Sequence, residues 1–217
     1  MTIADRDIRQ RDLVPPERLA EIRATIVGVG AIGRQVSLQL AAIGVPRLQL
    51  IDFDSVEPVN LCAQGFYESD LGKPKVEATA DICRQINSEI GITTASRKFQ
   101  SMQFTGGILI CAVDNIETRK RIFNAVKQRA DLFLDARMAA EHLRVLTVYD
   151  DASCEYYPTT LFSAAEAYQG SCTSKSTIYT SNIAGGLIVA QFAKWLRGCS
   201  LDKDIDVNLL TNEIGVK

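Results

Sequence analysis

The sequence predicts an α/β fold, with a Rossmann-like, mostly parallel sheet and helices on both faces. Three observations predict it. Apolar runs rich in β-branched residues alternate with amphipathic segments along the chain. A glycine-rich turn joins the first apolar run to the first amphipathic segment, and an acidic residue closes the second run about 20 residues later. Because neither a repeat nor a linker divides the chain, a single domain over residues 1–217 is expected.

The first unit consists of a strand, a turn and a helix. The strand "ATIVGV" (24–29) leads into Gly28, Gly30 and Gly33, which have the G-x-G-x-x-G spacing. The segment that follows has apolar residues at the spacing of one helix face and ends at Gly44. This local context favours a nucleotide-binding turn over a chance match to the motif.

The later units continue the alternation. "RLQLIDFD" (47–54) is typical of a strand that ends in acid, Pro74 can begin a helix, and Asp114-Asn115 can cap another. An N-terminal arm (1–16) and a mobile loop (150–175) are expected outside these units. The remaining predicted strands are 91–99, 106–113, 132–137, 142–149 and 204–210, and the remaining predicted helices are 75–90, 116–130 and 176–198.

The composition is that of an ordinary globular protein. With 47% hydrophobic and 23% charged residues, the chain can bury a core. Its formal net charge of −2 gives no field that would attract nucleic acid or an anionic membrane. The longest apolar run, in "TGGILICAV", is too short to span a bilayer, and the charged N-terminus has no signal-peptide core. We therefore expect a cytoplasmic protein with no nucleic-acid or membrane partner.

The six cysteines argue against a zinc site, because no two of them form a C-x-x-C pair. In a cytoplasmic chain they are expected to be free thiols. Zinc is therefore not an expected cofactor.

The glycine turn and its acid predict a nucleotide site. Glycines let the backbone approach a phosphate, and the helix that follows offers free N–H groups and the positive end of its dipole. Asp52, at the end of the second strand, can accept hydrogen bonds from a ribose. These residues alone leave NAD, FAD and ATP open, together with a turn that serves only packing.

Motifs beyond the turn narrow the choice. In chain order they are Arg9-Gln10, Asp52-Phe53-Asp54, Asn60-Leu61 with Gln64, Asp70-Leu71-Gly72 with Lys75, and Asp114-Asn115. This series resembles that of the ThiF/MoeB-type family of ubiquitin-activating-enzyme-like adenylating proteins. The family has a glycine loop, a D-x-D, an N-L-x-R-Q, a D-x-G-x-x-K and a later D-N, at similar spacing. The resemblance covers residues 9 to about 198.

The resemblance implies an enzyme that uses ATP and Mg²⁺ to attach AMP to a carrier protein. The carrier would be a small ubiquitin-like or sulfur-carrier protein, adenylated on its C-terminal carboxylate. The resemblance places Asp52 on the ribose, with Asp54 beside it, and Asn60 and Lys75 on the phosphates. It places Asp114 on Mg²⁺ and Arg9 on the γ-phosphate of the neighbouring subunit in a homodimer.

One position departs from the family pattern. Ala63 stands where N-L-x-R-Q has an arginine that helps to neutralise the triphosphate. Loss of one such donor typically costs about 2.7–4 kcal/mol of transition-state stabilisation. We expect Arg34 or Arg137 to compensate, with Arg137 favoured because it follows the strand-end Asp135.

Three other functions remain open from the sequence. A catalytically weak, nucleotide-binding partner or scaffold protein is suggested by Ala63. A NAD-dependent oxidoreductase would explain Asp52 and the glycine turn, but not Asn60, Lys75 and Asp114 together. A branch of the family that activates a modified base in tRNA is disfavoured by the net charge of −2.

A cysteine nucleophile is a further possibility. Cys172 lies in "GSCTSKSTIY", the stretch where some family members have a cysteine that bonds to the activated end of the carrier. A thiol in a polar loop is more accessible than one in a strand. Cys172 is therefore a candidate catalytic residue with a structural thiol as the alternative, and Cys154 is a weaker candidate.

Overall fold

A computed structural model describes residues 6–161 and 176–217. These residues form one eight-stranded sheet with the order β3-β2-β1-β4-β5-β6-β7-β8. The first five strands in this order are parallel, and the last three continue the sheet with antiparallel pairing. The predicted fold class is confirmed. The strands are β1 (Arg23–Val27), β2 (Arg47–Ile51), β3 (Gly91–Ala95), β4 (Gly107–Cys111), β5 (Ala130–Ala139), β6 (His142–Val148), β7 (Asp204–Asn208) and β8 (Glu213–Val216).

Helices cover both faces of the parallel part of this sheet. Those described are α1 (Pro16–Leu19), α2 (Ala31–Ala42), α3 (Pro58–Gln64), α4 (Lys75–Ile86), α5 (Ile116–Val126), α6 (Asp151–Tyr156) and α7 (Ile178–Leu196). Short 3-10 turns lie at Glu68–Asp70, Ser101–Gln103 and Tyr157–Thr160. Within the described part of the chain, no helix is both long and apolar enough to cross a membrane.

The two larger hydrophobic cores of the described residues result from the alternation of side chains along buried strands. Ala24 and Ile26 of β1 belong to the larger core, which α2, α4 and α7 cover. Val27 of the same strand belongs to the smaller core, which α5 covers. In the smaller core, the ring centroid of Phe123 lies 5.3 Å from that of Phe133 and 4.4 Å from that of Tyr157.

The strand order creates a crevice at the carboxyl ends of the central strands. From β1 the chain proceeds outward through β2 to β3, and then returns to place β4 on the other side of β1. Helix α2 follows β1 on one face, whereas α5 follows β4 on the opposite face. The carboxyl ends of β1 and β4 therefore border a topological switch point, which is where open α/β sheets bind ligands.

Two segments expected to lie outside the regular elements pack on the domain. In the arm, Arg6 Nη1 donates to Asn87 Oδ1 at 2.7 Å, and Gln10 Nε2 donates to the Ile43 carbonyl at 2.9 Å. The predicted loop at 150–175 begins with α6 and a 3-10 turn, in which Tyr157 is 1% exposed. The prediction of a mobile loop is wrong for 151–160, where the Asp150–Ser153 capping box starts a helix that the sequence period did not indicate.

We expect Phe123→Ala to lower the free energy of unfolding by about 3–5 kcal/mol, because it opens a cavity beside Phe133 and Tyr157. Urea denaturation measures the change. Met102→Ala is the control, since that side chain is 80% exposed, and should change the free energy by less than about 0.5 kcal/mol. Equal effects of the two substitutions would contradict the assignment of this core.

Candidate functional site

A cavity of about 1240 Å³ lies at the carboxyl ends of β1, β2 and β4. It is large enough for a nucleotide and a second group, since ligand cavities commonly measure about 300–1,000 Å³. Six of the residues predicted for the site line it: Gly28, Gly30, Asp52, Asp54, Lys75 and Asp114.

The three glycines of the turn have different surroundings, so glycine is needed at only some of these positions. Gly28 has φ +87°, and a Cβ atom there would lie 2.7 Å from the Ala112 carbonyl oxygen. A Cβ atom at Gly33 would overlap the Gly28 carbonyl oxygen. At Gly30 the nearest atom to a Cβ would be Gln64 Oε1, at 3.6 Å. Packing therefore requires Gly28 and Gly33, whereas Gly30 faces the cavity at the N-terminus of α2.

Asp52 joins the glycine turn to the end of β2. Its Oδ2 accepts the Val29 N–H at 2.6 Å, and its Oδ1 accepts the Asp54 N–H at 2.9 Å. A carboxylate has about four acceptor positions, so capacity remains for a ligand. This arrangement suits the hydroxyl groups of a ribose.

Lys75 is held at the cavity by Asp54. Lys75 begins α4, and its side chain is only 7% exposed. Its Nζ donates to Asp54 Oδ2 at 3.1 Å, and its backbone N–H donates to the Asp54 carbonyl at 2.9 Å. Two contacts with one residue fix the ammonium group on the cavity wall.

Asp114 is free of a capping role. Asn115 is the N-cap of α5, and its Oδ1 accepts the Thr118 N–H at 2.9 Å. Asp114 is exposed on the cavity wall, and its carboxylate makes no hydrogen bond or ion pair with the described residues. It is therefore available to bind a ligand or a metal ion.

The donor set fits Mg²⁺ only in company with a nucleotide. Within 6–161 and 176–217, no group of three or more His, Cys, Asp or Glu residues could hold a metal ion. Mg²⁺ commonly binds through one or two carboxylates together with substrate phosphates and waters. Asp114 would be the protein carboxylate of such a site.

Three predicted site residues, Gly33, Asn60 and Arg9, do not line the cavity. Asn60 is buried in α3, where its side-chain oxygen accepts the Glu57 N–H at 2.9 Å in a capping box. Arg9 is exposed in the arm, which Gln10 attaches to the C-terminal end of α2. Since α2 is about 18 Å long, Arg9 lies far from the turn at its N-terminus. Cys172 lies outside the described residues.

The expected compensation for Ala63 is wrong for both arginines. Arg34 is 1% exposed, donates to the Gly65 carbonyl at 3.1 Å and Thr79 Oγ1 at 3.1 Å, and lies over the Phe66 ring. Arg137 donates to Asp135 and to the Thr160 carbonyl at 2.6 Å. Burial lowers the pKa of each guanidinium, and neither lies on the cavity wall.

The sequence reasoning missed other basic residues. In the described part of the chain, the cavity is lined by Lys75, Arg97, Lys98, Arg119 and Arg121. Arg97 and Lys98 follow the end of β3, as Asp52 follows β2, so their strand-end position was a usable signal. Gln64 also lines the cavity, and its buried Oε1 has no hydrogen-bond partner among the described residues.

Residues 5–214 match the ThiF family. The chain belongs to this family. The ThiF-family resemblance seen in the motifs is thus confirmed. In the matched region the chain is 31% identical over 121 residues to the molybdopterin-synthase adenylyltransferase of Escherichia coli, covering 53% of this chain and 49% of that protein. It is 35% identical over 127 residues to the sulfur carrier protein ThiS adenylyltransferase of Bacillus subtilis, covering 54% and 38%.

Other proteins match over a longer part of the chain. The ubiquitin-like modifier-activating enzyme 5 of Arabidopsis thaliana is 23% identical over 210 residues, which is 83% of this chain and 48% of that protein. The ThiF-family chain thus spans half or less of the curated relatives named here. Solved structures of PaaA and of E. coli MccB with AMPCPP and MccA have TM-scores of 0.77 and 0.76, each at 20% identity. The match to PaaA covers 97% of this chain and 68% of PaaA, and the match to MccB covers 99% of this chain and 71% of MccB. These two similarities confirm the fold.

We expect Gly33→Ala to lower the free energy of unfolding by about 3 kcal/mol or more, because the methyl group would overlap the Gly28 carbonyl. Gly30→Ala is the matched control, because its methyl group would meet atoms only at ordinary contact distances and its φ is −85°. It should change stability by less than about 1 kcal/mol. Urea denaturation of both variants measures the difference. If Gly30→Ala proved the more destabilising, the described conformation of the turn would be wrong.

Proposed function

We propose that this ThiF-family chain adenylates the C-terminal carboxylate of a small ubiquitin-like or sulfur-carrier protein, with ATP and Mg²⁺. The observation that carries the proposal is that the glycine turn, Asp52, Lys75 and Asp114 surround one cavity. Further support comes from the names of the relatives, which include an adenylyltransferase of the sulfur carrier protein ThiS and an activating enzyme for a ubiquitin-like modifier.

The reaction joins two anions, so its main requirement is neutralisation of charge. A carboxylate oxygen of the carrier attacks the α-phosphorus of ATP, and the bond from that phosphorus to the bridging oxygen breaks. Pyrophosphate leaves with the electron pair, and the carrier retains an acyl-adenylate. No proton has to move, because the attacking carboxylate is already ionised. Electrostatic stabilisation and positioning therefore provide most of the catalysis.

Several groups on the cavity wall have a role in this reaction. Asp52 orients the ribose, and the free N–H groups at the start of α2 and the Lys75 ammonium bind phosphate oxygens. Asp114 would hold Mg²⁺, which would supply further neutralisation of the phosphates. Met138, Ala139 and Ala140 form an apolar part of the wall along which the end of the carrier can lie.

Two alternatives differ from this proposal in specific residues. The NAD-dependent oxidoreductase leaves Lys75 and Asp114 without a function. The nucleotide-binding partner or scaffold protein is favoured by Ala63, because the family arginine is absent from α3. A cytoplasmic location is supported by the five described cysteines, which are all free thiols. A nucleophilic role for Cys172 stays a proposal from the sequence.

We expect ATP with Mg²⁺ to bind at least about tenfold more tightly than NAD⁺, since a triphosphate with a metal ion uses Lys75 and Asp114. Isothermal titration calorimetry with each ligand decides between them. Tighter binding of NAD⁺ would remove the adenylation proposal in favour of the oxidoreductase.

We expect Asp114→Ala to abolish the dependence of ATP affinity on Mg²⁺, because the substitution removes the protein ligand of the metal. Titrations of ATP with and without Mg²⁺ measure this dependence. The matched control is Glu117→Ala, since Glu117 is exposed on α5 but lies off the cavity wall. The Asp114→Ala variant should unfold at the wild-type temperature, because Asn115, and not Asp114, caps the helix. An unchanged Mg²⁺ dependence in Asp114→Ala would exclude this residue as the metal ligand.

We further propose a homodimer in which Arg9 reaches the γ-phosphate of the neighbouring subunit. Arg9 lies at the far end of α2 from its own glycine turn, which supports action on a second copy. A mixture of Arg9→Ala and Asp114→Ala subunits should therefore recover activity that neither variant has alone. Equal mixing should give about one quarter of the wild-type sites, because half of the dimers are mixed and each has one intact site.

ATP–pyrophosphate exchange measures the recovery, with a small carrier ending in Gly-Gly that supports exchange by the wild type. Each variant incubated alone is the control. If mixing restored no exchange while sedimentation showed mixed dimers, Arg9 would not act across the subunits.

A further inference from the structure

A buried cluster behind the cavity contains more positive than negative charge. Asp135, at the end of β5, is 0% exposed. Its carboxylate accepts hydrogen bonds from Arg119, from Arg137 Nε at 3.0 Å and from Tyr157 Oη at 2.8 Å. Desolvation raises the pKa of Tyr157, so its hydroxyl is neutral. The buried part of the cluster thus has two guanidinium groups for one carboxylate, and a further carboxylate that acts on Arg119, that of Asp114, is exposed at the cavity.

Such an excess of charge is unfavourable in a protein interior unless an anion compensates it. One arginine is enough to neutralise Asp135. The second therefore costs stability, which suggests that it serves a ligand. Only an arginine that lies at the cavity can contact such a ligand.

Arg137 is committed to the protein. Besides Asp135, it binds the Thr160 carbonyl at 2.6 Å and Thr160 Oγ1 at 3.1 Å. These contacts use Nε, Nη1 and Nη2, so its donors are directed away from the cavity, whose wall does not include it.

Arg119 is on the cavity wall. It contacts Asp135 and the Cys111 carbonyl through Nη1, and no hydrogen bond with the described residues engages its Nε or Nη2. Asp114, the metal-binding candidate, lies on the same wall. The Arg119 side chain is only 6% exposed. Arg97, Lys98 and Arg121 are exposed at the cavity, so their charges are more strongly screened by salt.

We propose that Arg119, held in place by Asp135, binds the phosphates of the nucleotide and supplies the positive charge that Ala63 lacks. The inference rests on the proposed nucleotide-dependent function. It assigns the phosphate contact to α5, the helix that follows β4, instead of to α3.

The test is Arg119→Met, measured by calorimetry with ATP–Mg²⁺ and with adenosine. ATP affinity should fall by at least about tenfold, as expected for a lost hydrogen bond to a charged group. Adenosine affinity should change by less than about twofold, since adenosine has no phosphate. Arg119→Lys, which keeps one charge, should recover part of the ATP affinity.

Thermal unfolding without ligand provides the second readout. Arg119→Met leaves Asp135 with Arg137 and Tyr157 and removes the excess charge, so its midpoint should lie within about 3 °C of wild type, or above it. Arg137→Met is the matched control. It should unfold at a lower temperature, because Thr160 loses its partner, and should bind ATP as the wild type does.

Three outcomes separate the phosphate-binding role of Arg119 from the proposed adenylation function. Unchanged ATP affinity in Arg119→Met overturns this inference while the proposed function stands. So does equal weakening of ATP and adenosine combined with a midpoint about 10 °C lower, which indicates a structural role. A wild-type protein that binds neither ligand overturns the proposed function and this inference with it.

Discussion

The close approach of two backbones at the switch point determines the rest of the site. Gly28 lies so near the Ala112 carbonyl that a Cβ atom would be only 2.7 Å from its oxygen. This contact brings the end of β1 against the end of β4, and the Asp52 carboxylate then joins the turn to β2 through Val29. Because three strand ends are fixed together, the start of α2 and the residues after β2 and β4 all border one cavity.

The charges around this cavity divide by what holds them. Lys75 and Arg119 are buried. The Asp54 carboxylate orients Lys75, and the Asp135 carboxylate orients Arg119. Buried charges are weakly screened and already positioned, so they can stabilise a developing charge with little reorganisation. Exposed arginines such as Arg97 contribute mainly to the field that attracts an anion. The geometry thus combines two fixed cations with an exposed basic rim.

Much of the fold was predictable because its signals are local. Strand and helix periods, the glycine turn and the acid at the end of β2 depend on residues close in sequence. The roles of Arg34 and Arg137 depended on distant partners. Arg34 binds the Gly65 carbonyl, 31 positions away, and Arg137 binds the Thr160 carbonyl, 23 positions away. No sequence period reports such contacts, so motif order identified the cavity and Lys75 but not which arginines reach it.

The absence of an arginine at position 63 is compatible with the way α3 packs. The Gln64 carbonyl accepts from Gln35 Nε2 at 3.2 Å, and the Ala63 carbonyl lies 3.5 Å from Ser181 Oγ. Helix α3 is thus attached to α2 and α7 through its backbone, without a contribution from the side chain at 63. If Arg119 supplies the charge instead, the cation has moved from a peripheral helix to a buried cluster. A buried cation costs stability through desolvation, but salt weakens its attraction to phosphate less. On this proposal the chain exchanges part of its stability for a nucleotide affinity that depends less on ionic strength than contact with an exposed arginine would.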